Sequence, residues 1–149
     1  GVAAETALRT LTGALAVRVQ EGFGFSTIDL LRIDLFSGEG VVYKLGAAPT
    51  YVKKGSSVQS LTGTSLPAGL ADGDASSLDH FTLRLSPGDC VLMVSDGICA
   101  AGDDGWLRER LKNFDGVSPK DLARDLITHS PQDATDDRTA LVVRIDKRT

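Results

Sequence analysis

Two acidic clusters sit beside apolar runs of strand length. Ser95-Asp96-Gly97 follows Cys90-Val91-Leu92-Met93-Val94, and Asp136-Asp137-Arg138-Thr139 leads directly into a run that continues to Ile145. Each cluster sets carboxylates at a strand end. Hard divalent cations such as Mg²⁺ and Mn²⁺ take oxygen ligands and keep several waters, so a few carboxylates on rigid elements suffice to hold one. If the two strands are neighbours, Asp96 and Asp136 can share a metal. Ordinary readings stand beside this one: an Asp after a strand often caps a helix or makes an Asx-turn, and a surface Asp-Asp pair is often only solvated. Two such clusters at matching strand ends strengthen the metal reading beyond what either gives alone.

Other chemistries have less behind them. No G-x-x-x-x-G-K-[ST] or G-x-G-x-x-G opens a helix, which removes the common nucleotide-binding loops. Ser65 lies in no G-x-S-x-G elbow, and His80 and His129 are far apart in the chain, so a hydrolase triad is unsupported and both histidines read as structural or exposed. Asp72-Gly73-Asp74 lacks the central glycine and the twelfth-position acid of a calcium loop, and Asp133 reads as solvated. Gly46-Ala47-Ala48-Pro49 and Ser65-Leu66-Pro67-Ala68-Gly69 are first of all turn chemistry, although they could line a site.

The elements that must position the acids follow from periodicity. Ala7, Leu8, Leu11, Ala14 and Leu15 recur at three- and four-residue steps, which predicts a helix over about residues 4 to 18. Thr27 to Phe36 reads as a strand apolar on both faces, hence a central one, turning at Ser37-Gly38-Glu39-Gly40 into a second strand with Val41, Tyr43 and Leu45. Tyr51 to Lys54 and Val58 to Leu61 flank Gly55-Ser56-Ser57 as a second hairpin, and Gly63 to Ser77 is loop. Phe81 to Leu85 alternates and turns at Ser86-Pro87-Gly88-Asp89 into the apolar run ending at Val94. Leu107 to Phe114 is a short helix. Ser118-Pro119-Lys120-Asp121 then offers an N-cap serine, a proline at the first helical position and an acid two residues on. In the closing strand, Thr139 to Ile145, Leu141 and Val143 occupy one apolar face. Hairpin-joined strands with helices before and after them indicate an α+β fold, antiparallel β-sheets layered with α-helices, as a single domain over residues 1–149.

Composition sets outer limits. A hydrophobic share of 42% with 24% charged residues is that of an ordinary globular chain, not a disordered or fibrous one. A formal charge of -4, with no basic stripe and few aromatic residues, gives no electrostatic footprint for nucleic acid. No apolar run reaches the roughly 20 residues of a membrane span, so no membrane contact by this segment is expected. Cys90 and Cys99 lie in apolar surroundings outside any C-x-x-C spacing and read as reduced core thiols. Gly1 opens almost directly on the first helical pattern, which suggests a piece of a longer chain.

The segments V-L-M-V-S-D-G-I and D-D-R-T-A-L-V-V-R-I resemble the two C-terminal signatures of the PPM metal-dependent serine/threonine phosphatases. T-I-D-L-L-R-I-D-L-F-S-G, Y-K-L-G-A-A-P-T-Y-V-K-K-G, S-L-P-A-G and A-L-R-T-L-T-G-A-L are similar to the stage II sporulation protein E family within that group, and the resemblance runs through nearly the whole chain. It implies a PPM-like sandwich and a protein phosphatase that uses two Mn²⁺ or Mg²⁺ ions. Asp96 and Asp136 would then be metal ligands and catalytic, Gly97 would allow the turn in the S-D-G motif, and Asp137 would support the site. The implied substrate is a phosphorylated anti-anti-sigma factor protein. The implied setting is a cytoplasmic domain on a membrane-anchored parent. The family's upstream Asp-Gly motif would fall before Gly1. Sheet edges could therefore pair with a second copy, and the rival expectation is a phosphatase-fold regulatory or binding module without turnover.

Overall fold

The structure is a computed structural model that describes residues 3–22, 24–70, 78–99, 103–130 and 137–147. The chain divides into two compact units, residues 1–32, 41–47 and 63–82, and residues 33–40, 48–62 and 83–149. Asp72-Gly73-Asp74, Asp133 and Asp136 lie outside the described residues.

The first unit carries helix α1, Ala4–Gln20, and most of strands β1, Ile28–Ile33, β2, Glu39–Leu45, and β5, Asp79–Arg84. Ala, Leu, Arg, Glu and Gln, all strong helix formers, make up most of α1, with Glu5 in its first turn and Arg18 in its last to complement the peptide dipoles. Leu8 is its buried residue, and Leu15 and Val19 close on Gly69, where an added Cβ would meet Val19 Cγ2 at 3.0 Å. The strands form a sheet in the order β1-β2-β5. The expectation of a central strand over residues 27 to 36 is corrected here, because β1 is an edge of this sheet among the described residues and ends at Ile33. Asp34 ends it: its Oδ1 accepts the N–H groups of Phe36 at 2.8 Å and Ser37 at 3.1 Å, an Asx-turn that offers the backbone partners other than a ladder. Leu35 and Phe36 are thereby turned out to solvent, 86% and 90% exposed.

Lys44 on β2 is fully buried, and its ammonium donates to Asp29 Oδ2 of β1 at 2.8 Å. The Lys44 carbonyl accepts the Ser65 hydroxyl at 2.8 Å, while Asp79 Oδ2 accepts the N–H groups of Thr64 and Ser65 at 2.6 and 2.7 Å. Gly46 donates its N–H to Ser65 O at 3.1 Å. Ser65 is thus tied to the end of β2 and to the start of β5 by hydrogen bonds between segments far apart in the chain. Gly46 is needed because its φ is +62° and a Cβ there would stand 2.5 Å from Pro67 Cγ.

The second unit holds β3, Thr50–Lys54, β4, Ser57–Leu61, β6, Cys90–Val94, and β7, Ala140–Arg144, with helices α2, Gly105–Lys112, and α3, Pro119–Thr128. Its sheet runs β4-β3-β6-β7, antiparallel at each pairing. β3 and β4 join through Gly55-Ser56, with Lys54 opposite Ser57. Every residue of β6 is buried, as expected for a strand apolar on both faces between two partners. Leu92 and Val94 join Leu107 and Leu111 of α2 and Leu122 and Leu126 of α3 in one core cluster. Each such leucine contributes on the order of 1.5–3 kcal/mol through burial. From β7 it is Ala140 and Val142 that pack against this cluster, and Leu141, on the other face, is 51% exposed. α3 begins as its sequence requires, with the Ser118 hydroxyl accepting the Asp121 N–H at 3.2 Å and Pro119 at the first position. Arg108 latches α2 to β4 through Ser60 Oγ at 3.1 Å and the Val58 carbonyl at 3.3 Å.

Candidate metal site

β6 and β7 are antiparallel neighbours, with Val94 opposite Ala140, so the end of β6 and the start of β7 fall at the same edge of the sheet. The pairing continues one residue further: Ser95 donates its N–H to Thr139 O at 3.0 Å, and Thr139 returns its N–H to Ser95 Oγ at 2.9 Å. The same hydroxyl donates to the Asp137 carbonyl at 3.2 Å. The S-D-G turn and the segment entering β7 are therefore tied side by side.

Past Ser95 the chain turns tightly, with Ile98 N–H donating to Ser95 O at 3.0 Å. Asp96 is exposed on this turn, and its Oδ1 accepts the N–H of Gly97 at 3.1 Å. Gly97 is buried and makes the turn without a positive φ, unlike the glycines at 46, 55 and 69. Behind the turn, the Ser130 hydroxyl reaches from the end of α3 to the carbonyls of Ile98 at 3.0 Å and Gly97 at 3.4 Å. Arg138 donates to the Ile127 carbonyl at 3.2 Å, answering one of the acceptors left over in the last turn of α3.

Asp137 is exposed, and Asp136 is the residue before it in the sequence. Among the described residues no three His, Cys, Asp or Glu side chains gather as a metal-binding group, and none of the ion pairs found there involves Asp96. An exposed carboxylate at a rigid strand end, with no cation neutralising it, is a donor suited to a hard divalent ion. Asp96 meets that condition.

The remaining candidates take structural roles. His129 caps α3 and faces Asp125, Nδ1 to Oδ1 at 2.8 Å, while His80 is exposed and lies 6.5 Å between ring centroids from Tyr43. The Ser65 hydroxyl is engaged with the Lys44 carbonyl of β2. Cys90 and Cys99 are both buried, no disulfide joins them, and burial pushes both thiols up from their ordinary range. Sequence reasoning passed over Ser95 and Ser130 as functional residues; a serine bordering an acidic motif was the one local signal available.

The sequence matches the family model of Stage II sporulation protein E (SpoIIE) over residues 1–146. Stage II sporulation protein E of Bacillus subtilis (strain 168) is 28% identical over 158 residues, covering all of this chain and 19% of that protein. The phosphatase domain of the cell fate determinant SpoIIE from Bacillus subtilis, presoaked with Mn, superposes with a TM-score of 0.71 at 28% identity, covering 100% of this chain and 68% of that one. The PPM Ser-Thr phosphatase MsPP from Mycobacterium smegmatis, in complex with cacodylate, shares the fold at 20% identity and a TM-score of 0.63, over 91% of this chain and 71% of that one. The chain thus spans about a fifth of the length of its Bacillus relative. The α+β architecture is that of the PPM phosphatases.

Proposed function

Because this chain belongs to the stage II sporulation protein E family, we propose that it is the C-terminal part of a PP2C-type phosphatase domain that hydrolyses phosphoserine on an anti-anti-sigma factor type of protein. The observation that carries this reading is the Ser95–Thr139 pairing, which sets Asp96 beside the segment that follows Asp136. Asp96 and Asp136 would hold Mn²⁺ or Mg²⁺, with Asp137 supporting the site. When bound, the metal supplies an acidified water and positive charge beside the phosphoryl oxygens. The chain's own part is to tie the turn that bears Asp96 to the segment entering β7 through the Ser95–Thr139 hydrogen bonds. Water oxygen forms the new P–O bond, the bond to the serine oxygen breaks, and that oxygen leaves with a proton.

The working setting is the cytoplasmic side of a membrane-anchored parent, where release of phosphate from the substrate protein frees a sigma factor. No helix among the described residues is long and apolar enough to cross a membrane.

The test is manganese-dependent release of phosphate from a phosphoserine protein by the full-length protein. Asp96→Asn and Asp136→Asn should each lower the rate by at least about 100-fold, the loss expected when several kcal/mol of metal-dependent stabilisation is removed. Undiminished turnover in both variants would reject the assignment. Phosphoprotein binding by the wild type with no turnover at any Mn²⁺ concentration would identify a regulatory module instead.

A further inference from the structure

The loop that bears Asp96 is held by two hydroxyls. Ser95 Oγ uses both of its capacities across the chain, accepting the Thr139 N–H at 2.9 Å and donating to the Asp137 carbonyl at 3.2 Å. A serine hydroxyl has a single proton to donate, so this bridge commits it. Ser130 Oγ donates to the Ile98 carbonyl at 3.0 Å, with the Gly97 carbonyl at 3.4 Å. One hydroxyl therefore fixes the residue before Asp96, and the other fixes the carbonyls of the two residues after it.

Asp96 itself is exposed and receives a hydrogen bond only from its immediate neighbour among the described residues, so its carboxylate takes its direction from the loop backbone. Metal ligands must be held within about 0.5 Å of a productive arrangement, and outer groups that orient them govern affinity. Both serines are half-buried; Ser95 binds main-chain atoms of the segment entering β7, and Ser130, just past α3, binds main-chain carbonyls of the Asp96 loop.

We propose that Ser95 and Ser130 are positioning residues for a divalent cation at Asp96, acting by locking the loop between β6 and α2 against the segments before β7 and after α3. The inference rests on the metal reading of Asp96 given above. A purely structural role predicts lower stability with unchanged metal affinity, and the two roles are separable on that basis.

The experiment is Mn²⁺ titration calorimetry on the full-length protein, with hydrogen exchange at the Thr139 amide followed in the metal-free state. Ser95→Ala should weaken Mn²⁺ binding by about 10- to 100-fold, the usual effect of losing a group that orients a ligand. Its Thr139 amide should exchange faster. Ser130→Ala should weaken binding by about 10-fold. Ser95→Thr, which keeps the hydroxyl, should restore near wild-type affinity. Wild-type affinity in both alanine variants overturns the proposal while leaving the metal reading intact. Unchanged affinity in Asp96→Asn overturns the metal reading itself, so the two failures are told apart.

Discussion

Ser95 and Thr139, separated by 44 positions in the chain, exchange two hydrogen bonds: a backbone pair at 3.0 Å and a return bond from the Thr139 N–H to the Ser95 hydroxyl at 2.9 Å. The contact extends the β6–β7 ladder past its last regular pair and fixes where the acidic loop sits. It also frames what should be measured.

Asp96 is exposed and makes no ion pair with a described residue, so its contribution to metal-free stability should be small. Asp96→Asn should change unfolding free energy without metal by no more than about 0.5 kcal/mol, as for an ordinary surface site. The rise in melting temperature produced by Mn²⁺ should disappear, since binding stabilises only through occupancy of the folded state. Thermal melts with and without Mn²⁺ decide this, and an equal metal-induced shift in variant and wild type contradicts it.

The Lys44–Asp29 pair lies within the first unit with the lysine fully buried. Burial pulls the Lys44 pKa down, and its hydrogen bond to Asp29 opposes that pull. Asp29→Ala should cost about 3–5 kcal/mol, because it takes a hydrogen-bonded carboxylate away from a buried ammonium. Lys44→Met combined with Asp29→Leu should recover much of the loss. Urea denaturation of the wild type and the two variants measures both effects; a double variant as unstable as Asp29→Ala would contradict the account.

Asp79 gives a pH signature. Burial alone would raise its pKa, but the N–H groups of Ser65 and Thr64 outweigh that and hold it below the ordinary value of 3.8. A depressed carboxylate adds stability that is fully present above its unfolded pKa and lost as pH falls through the folded one. The stability gap between wild type and Asp79→Asn should therefore be constant near neutrality and shrink below about pH 4. Denaturant melts at pH 7 and pH 3 check the sign, and a gap that widens on acidification would refute it.

Gly46 and Gly55 separate two costs of a side chain. Both have positive φ, +62° and +55°, but a Cβ at Gly55 meets nothing within 4 Å whereas one at Gly46 meets Pro67. Gly55→Ala should cost about 1–2 kcal/mol from backbone conformation alone. Gly46→Ala should cost clearly more, and equal losses in chemical denaturation would show that Pro67 moves aside freely.

Cys90 and Cys99 are buried, and Cys99 Sγ lies 3.7 Å from the Tyr51 hydroxyl. Both thiols should resist an aromatic disulfide reagent in the native protein and react fully in denaturant. Rapid labelling of either under native conditions would place it nearer the surface than described.

Much of the local architecture was legible from neighbouring residues. The Ser118 cap, the Gly55-Ser56 hairpin and the buried run of β6 appear as expected because caps, tight turns and apolar runs depend on residues a few positions apart. Leu35 and Phe36 misled, since their alternation continued a strand that the Asp34 side chain had already ended. Lys44 gave no sign of burial, because a lysine in an alternating strand reads as solvent-facing until its partner strand is known.

From sequence alone came the elements, the carboxylates at two strand ends and the family resemblance. Tertiary structure decided that β6 and β7 are neighbours in antiparallel register, that β1 lies at a sheet edge among the described residues, and that Ser95 and Ser130 tie the Asp96 loop to the segments before β7 and after α3. The division has a physical cause. Helix periods, caps and turns are satisfied by hydrogen bonds within a few residues, whereas strand partnership between positions 94 and 140 is set by burying surfaces far apart in the chain, and no short stretch of residues records that choice.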